Sequence, residues 1–296
     1  MNGKKLSRLL ILLAVLVGVF LVVKFTGNKG RSKSFRSELV EFDAENVSKI
    51  ELLSITDTTV LTKEESQWKV DGKYFADKSS VTAMLENLKR IKPSRIASRK
   101  EDSWKDYQVD DAGLRVVVYE GGDKATDIIL GRFQMEGQRS YSSYVRLAED
   151  NDTYVAKDFM KMSISQGSEA YRDDDVLRVD KDSVQSVSFS YPDSAFVLEE
   201  GVSGWEAGGM IADSAAVAKY FQGLKFVNSR KFIDEINTPA QFDATFNLKN
   251  GEQVIVSNYG YDQISSSTNE NEQWQDPAAA KKVFKGPSYF VPLSEQ

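Results

Sequence analysis

A tryptophan, a short polar spacer, an Ala-Asp pair and an amphipathic run occur twice in this chain. The first passage is WKVDGKYFADKSSVTAMLENL, from Trp68, and the second is WEAGGMIADSAAVAKYFQGL, from Trp205. Trp205 minus Trp68 is 137, and Asp213 minus Asp77 is 136. Val81, Met84, Leu85, Leu88 and Ile91 stand at helical spacing, and at an offset of 136 come Val217, Tyr220, Phe221, Leu224 and Val227. That is the apolar stripe of a helix packed on one side. Asp77 and Asp213 sit where an N-cap belongs, accepting orphan backbone N–H groups, so a structural role is preferred over a functional one. Each tryptophan is read as core rather than as a ligand platform, because large aromatics dominate core burial.

The match extends upstream and downstream. VSKIELL at Val47 corresponds to VQSVSFS at Val184, and Val60-Leu61 to Val197-Leu198, with TDTT and YPDS between the runs. Short alternating runs broken by turn residues read as hairpins. LRVVVYEGGDKATDIILG (114–131) reads as strand, turn, strand, and so does ATFNLKNGEQVIVSN (244–258) with its Asn250-Gly251 turn. YSSYVRL and TYVA close the first copy, and SYFVPL closes the second. A unit of ~110–140 residues is too long for a solenoid repeat and fits a compact domain or half-domain. The expected fold is α+β. It has two tandem copies of a β-rich unit, each an antiparallel strand meander with one amphipathic helix after a Trp strand, preceded by one N-terminal transmembrane helix. The expected boundaries are 1–36 for anchor and basic linker, 37–175 for the first unit and 176–296 for the second.

Residues 9–23, LLILLAVLVGVFLVV, carry no polar side-chain atom. At ~1.5 Å per residue they span roughly 22 Å, short of the hydrocarbon core, but Arg8 and Lys24 can snorkel and Phe25 adds apolar length. A cleaved signal peptide is the competing reading, yet no pair of small residues stands near Val19–Lys24 to mark a cleavage site. An uncleaved anchor is therefore expected. Lys4, Lys5 and Arg8 flank it on one side, and Lys24, Lys29, Arg31, Lys33 and Arg36 on the other. A plain count would keep the second flank inside, but long domains translocate largely regardless of flank charge. The body is expected outside the cytoplasm.

The chain has neither cysteine nor histidine. Disulfides, thiol nucleophiles and thiolate metal sites are excluded, and so are the commonest general base and zinc ligand. A net charge of −6 argues against nucleic-acid binding, which needs a basic surface. The acidic runs invite a metal: Asp173, Asp174 and Asp175 in one, Glu149, Asp150 and Asp152 in the other. An EF-hand counted from Asp150 puts Val155 where Gly is required and Lys161 where Glu is required, so it fails. Both runs read instead as solvated connecting segments. A glycosidase could work with two carboxylates alone, but the separation that decides it is spatial. No phosphate loop and no nucleophile elbow is present. The polar stretch SSSTNENEQ (265–273) reads as a mobile insertion or an exposed contact loop. No catalytic, cofactor-binding or metal-ligating residue is assigned, no cofactor is implied, and the protein is expected not to be an enzyme.

The set QWKV, FADKSSVTAMLENL, YQVD, IILG, SYVRL and YRDDDVL, behind an N-terminal apolar segment, resembles the bacterial family of domain of unknown function 4340. The resemblance covers most of residues 47 to 180. Where that family tends to show Tyr-Gly-Leu-Asp, this chain has Tyr107-Gln108-Val109-Asp110. The resemblance implies an envelope protein associated with ABC-type transport components of the gliding-motility kind, and it carries over no catalytic residues. The expected function is a membrane-anchored extracytoplasmic accessory or binding protein. It is held in the bacterial inner membrane as a single-pass protein through residues 9–23, with ABC-type transporter components as its expected partners. The alternatives are an Asp/Glu-dependent envelope glycan hydrolase and a self-assembling structural envelope protein. The contact region is expected in the groove between the two lobes or at the 265–276 loop.

Overall fold

Alternating apolar residues build the first half into one antiparallel sheet, because side chains of period two put every second residue on the same face. In the computed structural model, which describes residues 35–137 and 140–291, its strands are β1 (Val47–Leu53), β2 (Thr58–Glu64), β3 (Gln67–Val70), β4 (Tyr74–Phe75), β5 (Pro93–Ser98), β6 (Leu114–Glu120), β7 (Asp123–Met135), β8 (Tyr141–Leu147) and β9 (Thr153–Lys157). Their order across the sheet is β4-β3-β2-β1-β6-β7-β8-β9-β5. Helix α1 (Lys78–Lys89) buries Val81, Met84, Leu85 and Leu88, the stripe read from the sequence. The short α2 (Trp104–Tyr107) follows β5. The apolar run at 9–23 lies outside the described residues, and no described helix is long and apolar enough to cross a membrane.

A second antiparallel sheet follows. It contains β11 (Val184–Tyr191), β12 (Ser194–Gly201), β13 (Gly204–Ala207), β14 (Met210–Ile211), β16 (Phe242–Leu248), β17 (Gln253–Asn258), β18 (Gln263–Ser266) and β19 (Gln273–Gln275). Their order is β14-β13-β12-β11-β16-β17-β18-β19, the order of the first eight strands of the other sheet. β10 (Asp175–Leu177) pairs with β15 (Val227–Asn228) as a separate ribbon. The remaining helices are α3 (Ser214–Leu224), α4 (Pro277–Val283) and α5 (Pro287–Phe290). The fold is β-rich, with few helices beside two large antiparallel sheets.

The correspondence reaches the level of single residues. The β1–β6 ladder slips between Val47 and Lys49, and the β11–β16 ladder slips between Val184 and Ser186, the equivalent positions of the second copy. A bulge inserted at the same place in both sheets is a specific feature rather than noise. The offset falls to 136 in the turn after the Trp strand, where Val70 pairs with Tyr74 but Ala207 pairs with Met210, a tighter connection. Gly208 and Gly209 make that tighter turn with φ of 58° and 79°, a conformation that a residue with a Cβ adopts at a cost. Asp77 accepts from the backbone N–H of Ser79, and Asp213 from that of Ala216, as N-caps. The backbone N–H of Asp77 donates to the Tyr171 carbonyl and that of Asp213 to the Phe290 carbonyl, both at 2.8 Å.

Two cores result. One gathers buried residues from Leu39 to Tyr171, and the other from Val176 to Phe290. Trp68 and Trp205 belong to their respective cores, 7% and 8% exposed. A small third cluster of Val109, Ile129, Tyr144 and Val155 lies on the opposite face of the first sheet, under the segment that carries α2. Here the YQVD and IILG motifs meet. Gln108 takes the left-handed conformation (φ 54°, ψ 38°) that a glycine would take at lower cost, so the tight turn survives its replacement. The turn presses on Gly131, where a Cβ would collide with the Tyr107 carbonyl and with Val109 Cγ1 at 2.5 Å.

The halves differ at one edge. β5 pairs with β9, Ile96 opposite Tyr154, and completes the first sheet. In the second half a shorter pairing stands at that place. Phe232 bridges Trp274, the Ile233 N–H donates to the Gln273 carbonyl and the Gln275 N–H to the Lys231 carbonyl, while Val227 and Asn228, just before it, pair with β10. That divergence brings the linking segment 171–178 between the two halves.

Candidate functional site at the junction of the two halves

Arg172 is the centre of the junction. Its guanidinium lies 3.7 Å from the ring centre of Tyr74, on β4, and 4.1 Å from that of Phe232, in the second half. Its Nε donates to both carboxylate oxygens of Glu272, at 2.9 and 3.0 Å, and Nη2 donates to Oε2. Both side chains are buried, 4% and 0% exposed. Burial works to lower the Arg172 pKa, but the bond to Glu272 outweighs it and the guanidinium is held charged. Burial pushes the Glu272 carboxyl up against the pull of Arg172. A forked, fully desolvated pair of this kind fixes geometry more than it adds stability. The sequence reading missed it because the partners stand far apart in the chain, with no local pattern to link them.

Asp173, Asp174 and Asp175 follow directly, with one oxygen of each within 4.8 Å of the others. They are half-buried rather than solvated, and each is engaged. Asn228 Nδ2 bridges Asp174 and Asp175 at 2.8 Å, Arg230 Nε donates to Asp174 and Arg178 Nη2 to Asp175. Asp173 accepts the backbone N–H of Asp175. Burial, with the neighbouring carboxylates behind it, raises the Asp173 pKa. The run ties the linking segment to β15 rather than offering three open ligands. Asp150 and Asp152 also depart from the solvated reading. They are 4% and 2% exposed, with Arg36 3.8 Å from Asp150 and Arg99 3.7 Å from Asp152.

The 265–276 stretch is a correction as well. It is not an insertion but the end of β18, β19 and the turn between them, packed on the linking segment with Ser267, Thr268, Glu270 and Asn271 exposed. Asn269 Nδ2 donates to the Asp173 carbonyl, and Thr268 Oγ1 to that of Val176. Ser266, Asn269, Glu272, Trp274 and Asp276 are all buried. Polar composition suggested exposure, but Asn269 Nδ2 and Glu272 find partners on the linking segment, while Asn269 Oδ1, Gln273 Oε1 and Trp274 Nε1 are buried with no partner among the described residues.

From this junction a groove runs along α1. Its inner part, about 880 Å³, is lined by Ala76, Asp77 and Ala83 from the first half and by Asp173, Asp175 and Arg178 from the linking segment. Its outer part, about 570 Å³, continues past Leu85 to Glu45, Lys63 and Lys89. Ser66, Trp68, Lys78, Thr82 and Glu86 line both. The floor is therefore apolar, from Trp68 and Leu85, and the rims carry charges of both signs. The second half fills the same position with its own ring: Phe221, the counterpart of Leu85, packs on Trp205 with ring centres 5.0 Å apart. Trp68, beside the smaller Leu85, borders the groove yet stays as buried as Trp205, 7% against 8% exposed.

The groove holds little acid–base chemistry. Burial raises the Asp77 pKa, but hydrogen bonds from Ser79 and Ser80 outweigh it and keep the carboxylate charged as a cap. Asp175 is paired with Arg178 on the same wall.

Searches among curated proteins and among solved structures give no match. The family described as Domain of unknown function (DUF4340) matches residues 68–251, from the first tryptophan through the second helix to the β16–β17 turn. That span covers more than half of the chain and reaches into both sheets, and the chain belongs to the DUF4340 family.

Proposed function

We propose that this protein is a membrane-tethered, extracytoplasmic binding module that captures a short segment of a partner protein in the α1 groove. The observation that carries this reading is the groove itself, two adjoining spaces of about 880 and 570 Å³ over one apolar floor. Binding sites are concave, with an apolar lining and a few placed polar groups, and this groove has that composition. Its length along a helix suits an extended or helical peptide better than a compact metabolite. The apolar run at 9–23 supports a tether, and the family resemblance supports an inner-membrane ABC-type component as the partner. In this reading the halves are two copies of one unit, 37–175 and 176–296. The shared strand order, bulge and capping pattern support it. The second copy has filled its groove and become a support.

The test is co-purification of the full-length chain from membranes in mild detergent. Thr82 is an exposed helix residue on the groove wall, so Thr82→Trp fills the groove without entering the core. The expected result is loss of the partner with an unchanged melting curve. Retention of the partner at wild-type yield would remove the groove from the account.

One observation favours the hydrolase alternative: Asp173, raised, and Asp77, lowered, line the same cavity. Carboxylates driven apart in pKa are the usual equipment for acid–base work. Asp77 is nonetheless committed to capping α1. Glycan cleavage by the purified chain, abolished by Asp173→Asn, would reverse the preference.

A further inference from the structure

One corner of the first sheet collects cations that have no carboxylate to pair with. β5 is the edge strand opposite β4, so this corner lies at the side farthest from the junction. Pro93 opens β5 opposite Ala156, and Lys157 closes β9 opposite Ser142. Arg90, Lys92 and Lys157 line one cavity of about 460 Å³ there, together with Asp158. Arg95 stands two residues along β5 from Pro93. The 3-10 turn Lys161–Ser163 lies beside them. Asn87, on α1, donates to the Ser163 carbonyl at 3.4 Å, and the Lys161 N–H donates to Ser143 Oγ at 3.0 Å.

Arg90, Lys92, Arg95 and Lys157 are exposed and Lys161 is half-buried. None of the five forms an ion pair among the described residues. Burial, with no partner to offset it, lowers the Lys161 pKa. Two carboxylates stand near, Asp158 and Glu136, and Glu136 is held by Ser142 and Gln134. Residues 1–34 and 138–139, outside the described part, contain no Asp or Glu and cannot supply the missing anions. Residues 292–296 hold a glutamate, but they continue from α5, whose Phe290 belongs to the core of the second half.

Apolar side chains share the corner. Met135 and Met162 are 62% and 63% exposed. Met135 ends β7 opposite Tyr141, and the 161–163 turn packs against β7. Thioether chains are flexible and adapt to an irregular apolar surround. Lys and Arg beside exposed apolar side chains make the pattern of a surface that lies on anionic lipid. The chain as a whole carries −6, so an anionic bilayer attracts this corner and repels the remainder.

We propose that this basic corner rests on the anionic lipid headgroups of a membrane, its Lys and Arg on the phosphates and Met135 and Met162 at the acyl boundary. The proposal takes the tether from the reading above and does not need the groove. Phe35 packs on Tyr154, three residues before Lys157 on β9. The eleven residues 24–34, between the apolar run and Phe35, reach at most roughly 40 Å, so anchor and corner can meet one bilayer. The contact sets the orientation of α1, with its Lys89 end toward the membrane and its Asp77 cap, at the junction, away from it.

The test uses the full-length chain with a polarity-sensitive dye on Met162→Cys, a unique cysteine in this sequence. It is reconstituted in phosphatidylcholine vesicles and in vesicles of phosphatidylcholine and phosphatidylglycerol in equal amounts. The proposal expects a blue shift of the dye in the anionic vesicles, reduced at high salt. The same dye on Val202→Cys, a fully exposed turn residue of the second half, should not shift. Lys92→Glu with Lys157→Glu, both at exposed positions, should abolish the shift at 162 without moving the melting curve. Flotation with the neutral vesicles reports the tether separately. A chain that fails to float there loses the tether, while its dye still answers for the corner in the anionic vesicles. No shift in the anionic vesicles, an equal shift in the neutral ones, or a shift that survives both charge reversals would overturn the proposal. So would a shift produced by inorganic phosphate beside neutral vesicles, which would mark a site for a soluble anion.

Discussion

Gly131 and Asp173 carry the sharpest expectations at the scale of single residues. A Cβ at Gly131 would meet the Tyr107 and Gln108 carbonyls as well as Val109 Cγ1, so most of the clash is with backbone that cannot swing aside. Gly131→Ala should cost about 1–3 kcal/mol, the usual range for overpacking, read as a fall in the denaturant midpoint. An unchanged midpoint would mean that the 107–109 turn does not sit on β7. Asp173 tests the electrostatics. Its folded pKa lies above the ordinary 3.8, so the folded state binds more protons than the unfolded one between those values. Stability contributed by this group therefore falls as pH rises through the raised value. Asp173→Asn should raise the melting temperature at neutral pH, with the gain vanishing once pH drops below the unfolded carboxylate range. A loss of stability at neutral pH would contradict the assignment. The turn at Gln108 could be suspected from sequence, but not what it covers, because Gly131 lies on another strand, beyond the whole of β6.

Helices and hairpins were the most legible elements. The stripes of α1 and α3, their aspartate caps and the Gly-Gly and Asn-Gly turns all rest on local spacing, which the chain carries within short windows. What stayed hidden is non-local. β5 finds β9 across three intervening strands, and in the second half the residues just before its counterpart, Val227 and Asn228, turn to β10; no pattern within either strand announces those choices. The 269–274 turn misled for a related reason, since Asn269 Nδ2 and the Glu272 carboxylate are held by a carbonyl and a guanidinium from the linking segment. The two tryptophans belong to equivalent cores and are equally buried, 7% and 8% exposed. Trp205→Ala should cost about 3–5 kcal/mol, because its ring is packed on Phe221. Trp68→Ala should cost a similar amount in the same denaturant titration. An unmoved denaturant midpoint for either would mean that its ring is not core.

At the scale of the whole molecule, the Arg172–Glu272 pair decides whether the halves move as one. Arg172→Met leaves a buried carboxylate without its partner and should cost about 3–5 kcal/mol. Adding Glu272→Leu should recover most of that loss, since an apolar pair of similar volume is tolerated where a lone charge is not. Thermal unfolding of the single and double variants gives the coupling directly, and additive losses would mean that the two side chains do not meet. In the single variant, stability should improve as pH falls, because protonation neutralises the stranded Glu272.

The near-symmetry of the molecule also supplies the control for its central claim, that the first half captures a partner in the α1 groove while the second half does not. Thr82 and Ala218 occupy the same position on α1 and α3, directly after the equivalent Val81 and Val217, and both are exposed. A photo-crosslinking side chain placed at each, in the full-length chain in its own membrane, reports what lies against each helix. The account predicts a discrete adduct with a membrane-associated protein from position 82 and none from position 218. Equal adducts from both positions, or an adduct from position 218 alone, would contradict it.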